Sequence, residues 1–351
     1  MKIIKTQSPK QKPIGKIKFG TVFTDHMFVA EYSKNEGWHN ERIQPYQPFV
    51  LDPSSSIFHY GQGVFEGMKA YKNKAGEIMM FRPLENFKRM NSSNGRMMIP
   101  PIDEKKMLDG LVELVRLDQD WIPTGEGESL YIRPAIFACD AALGVHTATN
   151  YTFFIIMSPV GAYYANGLAP VRLFVEDFYV RASKGGTGHY KFIGNYAASL
   201  KASDKAEKAG YDQVLWLDAQ HKKYVEEVGS MNIFFVKNGE VITPSLEGSI
   251  LPGITRMSII ELLRHKGYKV SERLIEIEEI IQGIISGEVT ECFGTGTAAV
   301  ISPVGVIGYK GKDYALGDGK TTGKITMDAY QSLTDIQHGD APDAFNWVYK
   351  V

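Results

Sequence analysis

The stretch Gly185-Gly186-Thr187-Gly188-His189-Tyr190-Lys191-Phe192-Ile193-Gly194-Asn195-Tyr196 reads as a flexible glycine loop ending in one lysine between aromatic residues, just before a helix. A lone lysine is ordinarily solvated, because burying an unpaired ammonium is costly. An aromatic sleeve changes that expectation. Desolvation disfavours the charged form, pulls the amine below its usual pKa of about 10.4, and favours the neutral nucleophile that attacks an aldehyde. Lys184 and Lys201 lack the sleeve, and Lys201 shares a polar helix face with Lys205 and Lys208.

Three more glycine-containing segments set polar groups beside sharp turns. Glu226-Glu227-Val228-Gly229-Ser230-Met231-Asn232 carries a carboxylate into an apolar strand region. A buried carboxylate needs a positive partner; a protonated pyridine nitrogen is one, and keeping that nitrogen charged makes its ring an electron sink. Alone, the segment reads equally well as an exposed acidic pair at a strand edge. Leu251-Pro252-Gly253-Ile254-Thr255-Arg256 opens a helix, whose unpaired amides and positive dipole end form a phosphate seat. Phe293-Gly294-Thr295-Gly296-Thr297-Ala298-Ala299 is a strand-to-turn amide nest able to hold an anion. It is no dinucleotide fingerprint, because the third glycine and the following acidic residue are missing.

Around these segments the 351 residues exceed the size of one core, so two domains are expected. With 44% hydrophobic and 23% charged residues and a net charge of -1, the chain offers no basic face for nucleic acid. No run reaches the roughly 18 apolar residues of a membrane helix. The lysine-rich first twenty residues read as a solvated arm, since Pro13 and Gly15 interrupt any amphipathic helix. Cys139 and Cys292, each in an apolar stretch, exclude a disulfide framework and fit a reducing compartment. The histidines show no ligand spacing, so no metal is expected. Strand signals cover 22–32, 131–139 and 151–159, with a helix capped by Asp103 between the first two. Residues 161–170 break the pattern as a linker. Beyond it the spacing predicts a helix over 195–209, strands over 213–218 and 223–235, a turn at Asn238-Gly239, and a helix over 254–266.

The order and spacing of all four segments resemble the branched-chain aminotransferases of the fold-type-IV pyridoxal-phosphate family. Phe19-Gly20, Phe23-Thr24-Asp25-His26-Met27, His59-Tyr60-Gly61-Gln62, Phe65-Glu66-Gly67-Met68-Lys69-Ala70 and Leu130-Tyr131-Ile132-Arg133-Pro134 extend the likeness over nearly the whole chain. The resemblance implies a two-domain mixed α/β fold: a small N-terminal α/β domain over 1–160 with its arm, an interdomain loop over 161–171, and a larger C-terminal domain over 172–351 with a barrel-like sheet. It implies pyridoxal 5'-phosphate as cofactor, and reversible amino transfer between leucine, isoleucine or valine and α-ketoglutarate.

Carried over, it implies that Lys191 condenses with the cofactor and later shuttles the proton at the substrate α-carbon. Tyr196 would hydrogen-bond the phenolic oxygen, and Glu227 would pair with the pyridine nitrogen. Arg89, Ile254, Thr255 and Thr297 would hold the phosphate, with Ser230 also on the cofactor. Phe19, Tyr60, Phe65, Tyr131 and Tyr163 would wall an apolar substrate pocket. Ser230 and Ala298 would serve the substrate carboxylate, and Arg133 the distal carboxylate of glutamate. The family also implies a cytoplasmic homodimer with small-molecule amino acids and α-ketoacids as partners. Ser230 stands where many relatives carry threonine, Ile193 where glycine is common, and Ala299 and Ser302 where mammalian relatives carry a redox cysteine pair. Two other readings stay open: a D-amino-acid transaminase or aminodeoxychorismate lyase, which share the lysine and glutamate, and a noncatalytic binder of a phosphorylated metabolite.

Overall fold

The computed structural model describes residues 1–13, 15, 17–161 and 168–351. These divide into two units, one of Met1–Tyr163, Tyr190–Ile193 and Asp335–Val351, the other of Tyr164–His189 and Gly194–Thr334. The sequence expectation ended the first domain at 160. Two later segments join that unit because they pair with its strands, as described below.

Among its described residues the first unit carries a nine-stranded sheet. Its strands are β1 (Lys2–Ile3), β2 (His26–Ser33), β3 (Gly37–Pro45), β4 (Gly63–Phe65), β5 (Met68–Lys72), β6 (Ile78–Phe81), β7 (Ser129–Ala138) and β8 (Asn150–Val160), completed by the C-terminal strand Val348–Lys350. The order runs β1-β3-β2-β8-β7-β5-β6 and then the C-terminal strand, with β4 paired to β7. Along β8 the side chains of Tyr151, Phe153, Ile155 and Met157 are buried in alternation, the period-2 pattern of a strand with one face on a core. That core includes the helical stripe Met107, Leu108, Leu111, Leu114 and Val115 of a helix at Glu104–Leu117. Asp103 caps this helix as the sequence predicts, accepting from the Lys106 amide at 3.0 Å.

Helix and sheet meet most closely at Gly110, where an added Cβ would lie 2.5 Å from the ring of buried Phe28. Alanine is the better helix former by up to about 1 kcal/mol, but overpacking costs about 1–3 kcal/mol. Gly110→Ala is therefore expected to lower the unfolding free energy in a urea titration, despite its better propensity.

The N-terminal arm, expected to be solvated, is tied to the sheet. Lys2 and Ile3 pair in parallel with Arg42 and Ile43 of β3, and the Thr6 amide donates to His26 Nε2 at 2.9 Å. Each bond satisfies backbone groups that water would otherwise have to serve, and charge counting does not foresee them. Cys139 is half-buried and Cys292 buried, both unbonded to sulfur.

Burial draws the Lys69 ammonium on β5 down to about 8. Between that value and the unfolded pKa of about 10.4, the unfolded chain binds a proton that the folded chain lacks, so stability rises with pH there and is flat below it. The unfolding free energy of the wild type relative to Lys69→Met should climb by about 2 kcal/mol from pH 7.5 to 9.5, read from denaturation curves.

The second unit holds β9 (Val171–Glu176), β10 (Gln213–Leu217), β11 (Val225–Val228), β12 (Met231–Lys237), β13 (Glu240–Pro244), β14 (Val270–Arg273), β15 (Val289–Gly296), β16 (Val300–Tyr309) and β17 (Lys312–Ala315). Six of them close a ring, β11-β10-β9-β16-β15-β12, through the pairing of β12 back onto β11. That closure uses only Asn232 and Met231, opposite Glu227 and Val228. Farther along β12 the same edge, from Phe235 to Lys237, pairs with β13 instead. The hairpin between β12 and β13 turns on Asn238 (φ 50°) and Gly239 (φ 77°), the left-handed pair that this dipeptide favours.

The helix expected over 195–209 is two helices, Gly194–Ala198 and Leu200–Lys208. Ser199 sits at the break, and its hydroxyl donates to the Tyr196 carbonyl at 2.7 Å, a local bond that competes with the helical ladder. The helix expected over 254–266 spans Ile254–His265, and Gly267 (φ 86°) follows it.

Candidate active site

In the first unit, Lys191 is held by its backbone. Its amide donates to Ser93 Oγ at 3.0 Å, its carbonyl accepts from the Phe65 amide at 3.1 Å, and the Ile193 amide donates to the Gly63 carbonyl at 3.3 Å. The lysine thus runs beside β4, with its Nζ 4.3 Å from the centre of the Phe65 ring. The Arg133 guanidinium lies 4.6 Å from that ring and donates to the Tyr131 hydroxyl at 3.1 Å. Phe19 meets Tyr131 edge-on at 5.0 Å. The structure therefore gathers Lys191, Phe65, Tyr131, Arg133 and Phe19 into one aromatic, cationic cluster. Gly67 is required beside it, since a Cβ there would lie 2.2 Å from the Tyr131 hydroxyl.

Tyr60 is engaged differently. It ends the short helix Ser56–Tyr60 and its hydroxyl accepts from the Gly144 amide at 2.7 Å. Tyr163 lies outside the described residues.

Arg89 is on the helix Pro83–Arg96 and grips the fully buried Glu66 with two parallel bonds, Nε to Oε1 at 2.7 Å and Nη2 to Oε2 at 2.8 Å. Asn86 adds a third donor to Glu66 at 2.8 Å. Glu66 occupies the Nε and Nη2 edge of the guanidinium and fixes its plane. Sequence reading quoted Glu66 only as part of a block and assigned it no role. Its missed signal is that a buried glutamate needs a cation.

In the second unit, Glu227 and Tyr196 line one crevice with Arg181, Asn195, Gly229 and Ser230. Glu227 is buried. It forms an ion pair with Arg181 and accepts from Asn232 Nδ2 at 3.1 Å. Neither partner was singled out beforehand. Asn232 was legible: the two-residue turn Gly229-Ser230 puts residue 232 opposite 227 by hairpin register, and the structure pairs them so. Arg181 was not, because no local pattern ties it to β11.

Asn232 also donates to the Leu251 carbonyl at 2.9 Å, which links Glu227 to the segment opening the helix at Ile254. That helix starts at Gly253 with no side-chain cap, so its first-turn amides suit an anion. A Cβ on Gly253 would lie 2.0 Å from Asn232 Oδ1, so the approach needs glycine. Ile254 and Thr255 are buried in the first turn. Asn232 pairs with Thr295, and the turn after β15 carries half-buried Thr297 and Ala298. The turn closes on Val300 at φ 61°, a strained conformation for a β-branched residue of the kind found at ligand clamps.

The family model for amino-transferase class IV matches residues 63–307. The chain belongs to the class IV aminotransferases. It is 54% identical to branched-chain-amino-acid transaminase 1 of Bacillus subtilis over 99% of this chain and 98% of the relative. It is 52% identical to branched-chain-amino-acid aminotransferase 2 of the same organism over 100% and 96%. Among solved structures, the T.th. branched-chain amino acid aminotransferase with pyridoxamine 5'-phosphate superposes with a TM-score of 0.77 at 26% identity, over 91% of this chain and 97% of that one.

The fold of this aminotransferase is fold type IV, with the six-stranded barrel as its hallmark, and pyridoxal phosphate is its cofactor. The residues present fit that group. A buried carboxylate suits a ring cation, and an uncapped helix start suits a phosphate.

Proposed function

We propose that this aminotransferase moves the amino group of leucine, isoleucine or valine to α-ketoglutarate, reversibly, giving branched-chain α-ketoacids and glutamate. The observation that carries this is the cluster at Lys191: aromatic walls that accept an aliphatic side chain, with one cation, Arg133, among them. The full-length similarity to branched-chain enzymes supports the same substrates.

Pyridoxal phosphate, when bound, supplies an aldehyde and an electron-withdrawing ring. The chain does the rest. The Lys191 amine anchors the cofactor, then takes the proton from the substrate α-carbon and returns it on the other side of the transfer. Glu227 holds the positive charge on the ring nitrogen, and its own carboxylate is oriented by Arg181 and Asn232. Tyr196 would donate to the cofactor's phenolic oxygen. Arg89, Ile254, Thr255 and Thr297 would hold the phosphate, and Ser230 would contact the cofactor. Ser230 and Ala298 receive the substrate carboxylate.

Phe19, Tyr60, Phe65, Tyr131 and Tyr163 wall the substrate side chain in this reading. Arg133 lets the same pocket take glutamate, where a buried unpaired carboxylate would otherwise cost about 1–3 kcal/mol or more. Arg133→Gln should therefore raise KM for α-ketoglutarate by roughly tenfold or more, and leave KM for leucine within about threefold, in steady-state rates.

The chain works in the cytoplasm as a homodimer, with amino acids and α-ketoacids as its partners and neither nucleic acid nor membrane among them. Among the described residues, no helix is long and apolar enough to cross a membrane.

Initial rates with leucine, isoleucine and valine against α-ketoglutarate test the assignment. Ketoacid and glutamate should form in equal amounts from each. Pyruvate release from aminodeoxychorismate without an amino acceptor would overturn it.

A further inference from the structure

Glu226 and Glu227 are neighbours on β11, so strand alternation turns them to opposite faces. Glu227 enters the crevice with Tyr196, whereas Glu226 lines a separate cavity of about 490 Å³ within the second unit. That volume is usual for small-molecule sites. Glu226 is only 7% exposed. Its Oε1 accepts from the Ser249 hydroxyl, while Oε2 is buried and makes no hydrogen bond within the protein. A buried carboxylate oxygen without a partner is costly, and burial accordingly pushes the Glu226 carboxyl above its ordinary pKa.

The other carboxylates lining the cavity are engaged. Asp218 accepts from the backbone amides of Gln220, His221, Lys223 and Tyr224. Glu247 pairs with Lys184 at 3.0 Å and accepts from Ser245. Glu226 is thus where an incoming positive charge would be matched, and Val225, Ile250 and Leu274 offer apolar wall beside it.

We propose that this cavity binds a small organic cation bearing N–H donors and an apolar body, an ammonium, amidinium or guanidinium whose charge is matched by the Glu226 carboxylate. The site belongs to no step of amino transfer. The apolar wall selects against hydrated inorganic ions, and the Glu226 carboxylate selects for a donor of matching charge.

The test uses the holoenzyme and benzamidine, an amidine chosen because a primary amine would also condense with the cofactor aldehyde. Binding is read by saturation-transfer NMR and calorimetry, after melting curves establish that each variant is folded. Wild type should bind. In Glu226→Gln the amide oxygen keeps the Ser249 bond and the amide nitrogen turns a donor toward the cation, so affinity should fall roughly tenfold or more. Leu274→Trp, at a 48% exposed position, narrows the cavity without touching charge and should weaken binding comparably; it also keeps the test readable if Glu226→Gln does not fold. Absence of wild-type binding at millimolar benzamidine, or wild-type affinity in either variant, would overturn the proposal.

Discussion

Lys191→Ala should lower kcat for leucine and α-ketoglutarate by about 10⁴-fold or more, because the proposed mechanism makes one side chain both cofactor anchor and proton carrier. The loss should be chemical rather than structural. Lys191 is half-buried, and the bonds that place it, to Ser93 and Phe65, are made by its main chain. The variant should therefore melt within a few degrees of the wild type while turning over almost nothing. A variant that kept more than about a tenth of kcat would show that the amine is not the proton carrier. A passive phosphate-binding protein would show no dependence on this residue at all.

Glu227→Gln should have two effects of different origin. Glutamine keeps an oxygen for Asn232 but removes the charge that, in the proposed mechanism, holds the ring nitrogen protonated. Losing one preorganised electrostatic contact of this kind costs about 3–4 kcal/mol in the transition state, or roughly 10²–10³ in kcat. The same change leaves Arg181, 10% exposed, as a buried charge without its partner, which costs about 3–5 kcal/mol of stability. Saturating-substrate kinetics read the first effect, and a chemical denaturation curve reads the second. Unchanged stability with reduced kcat would mean that Arg181 finds another partner. Unchanged kcat would remove Glu227 from the mechanism.

Much of the candidate site was legible because each piece is local. Asn238-Gly239 is a two-residue turn whose flanking register follows from the pleat, and Gly253 marks a helix start, whereas the strand expected over 223–235 is broken at Gly229-Ser230 into β11 and β12. The sequence pointed to an aromatic setting for Lys191 through Tyr190 and Phe192, and in the structure it is Phe65 whose ring lies 4.3 Å from the Lys191 Nζ. What escaped reading depends on pairings distant in sequence. Residues 190–193 run beside β4 through Phe65 and Gly63, more than a hundred residues back along the chain. The strand Val348–Lys350 pairs with β6, which carries the C-terminus into the first unit. The barrel closes through two residue pairs between β11 and β12, too few to leave a hydrophobic period.

The charged residues, the arm and the helix break depend on contacts that residue type alone does not report. Arg181 and Glu66 are ordinary surface residue types, and only their burial reveals that each fixes a partner, Glu227 and Arg89 respectively. The arm looked solvated because its lysines dominate its composition. Its main chain, not its side chains, binds it to β3. The break at Ser199 likewise hides in a run of good helix formers, where a single hydroxyl bond to Tyr196 outweighs propensity.

The central claim is that the Lys191 ε-amine carries the cofactor. Reducing the purified holoenzyme with borohydride and mapping the proteolytic peptides tests it directly. The phosphopyridoxyl mass should fall on the peptide containing Tyr190-Lys191-Phe192. Its appearance on any other lysine, or on none, would contradict the account.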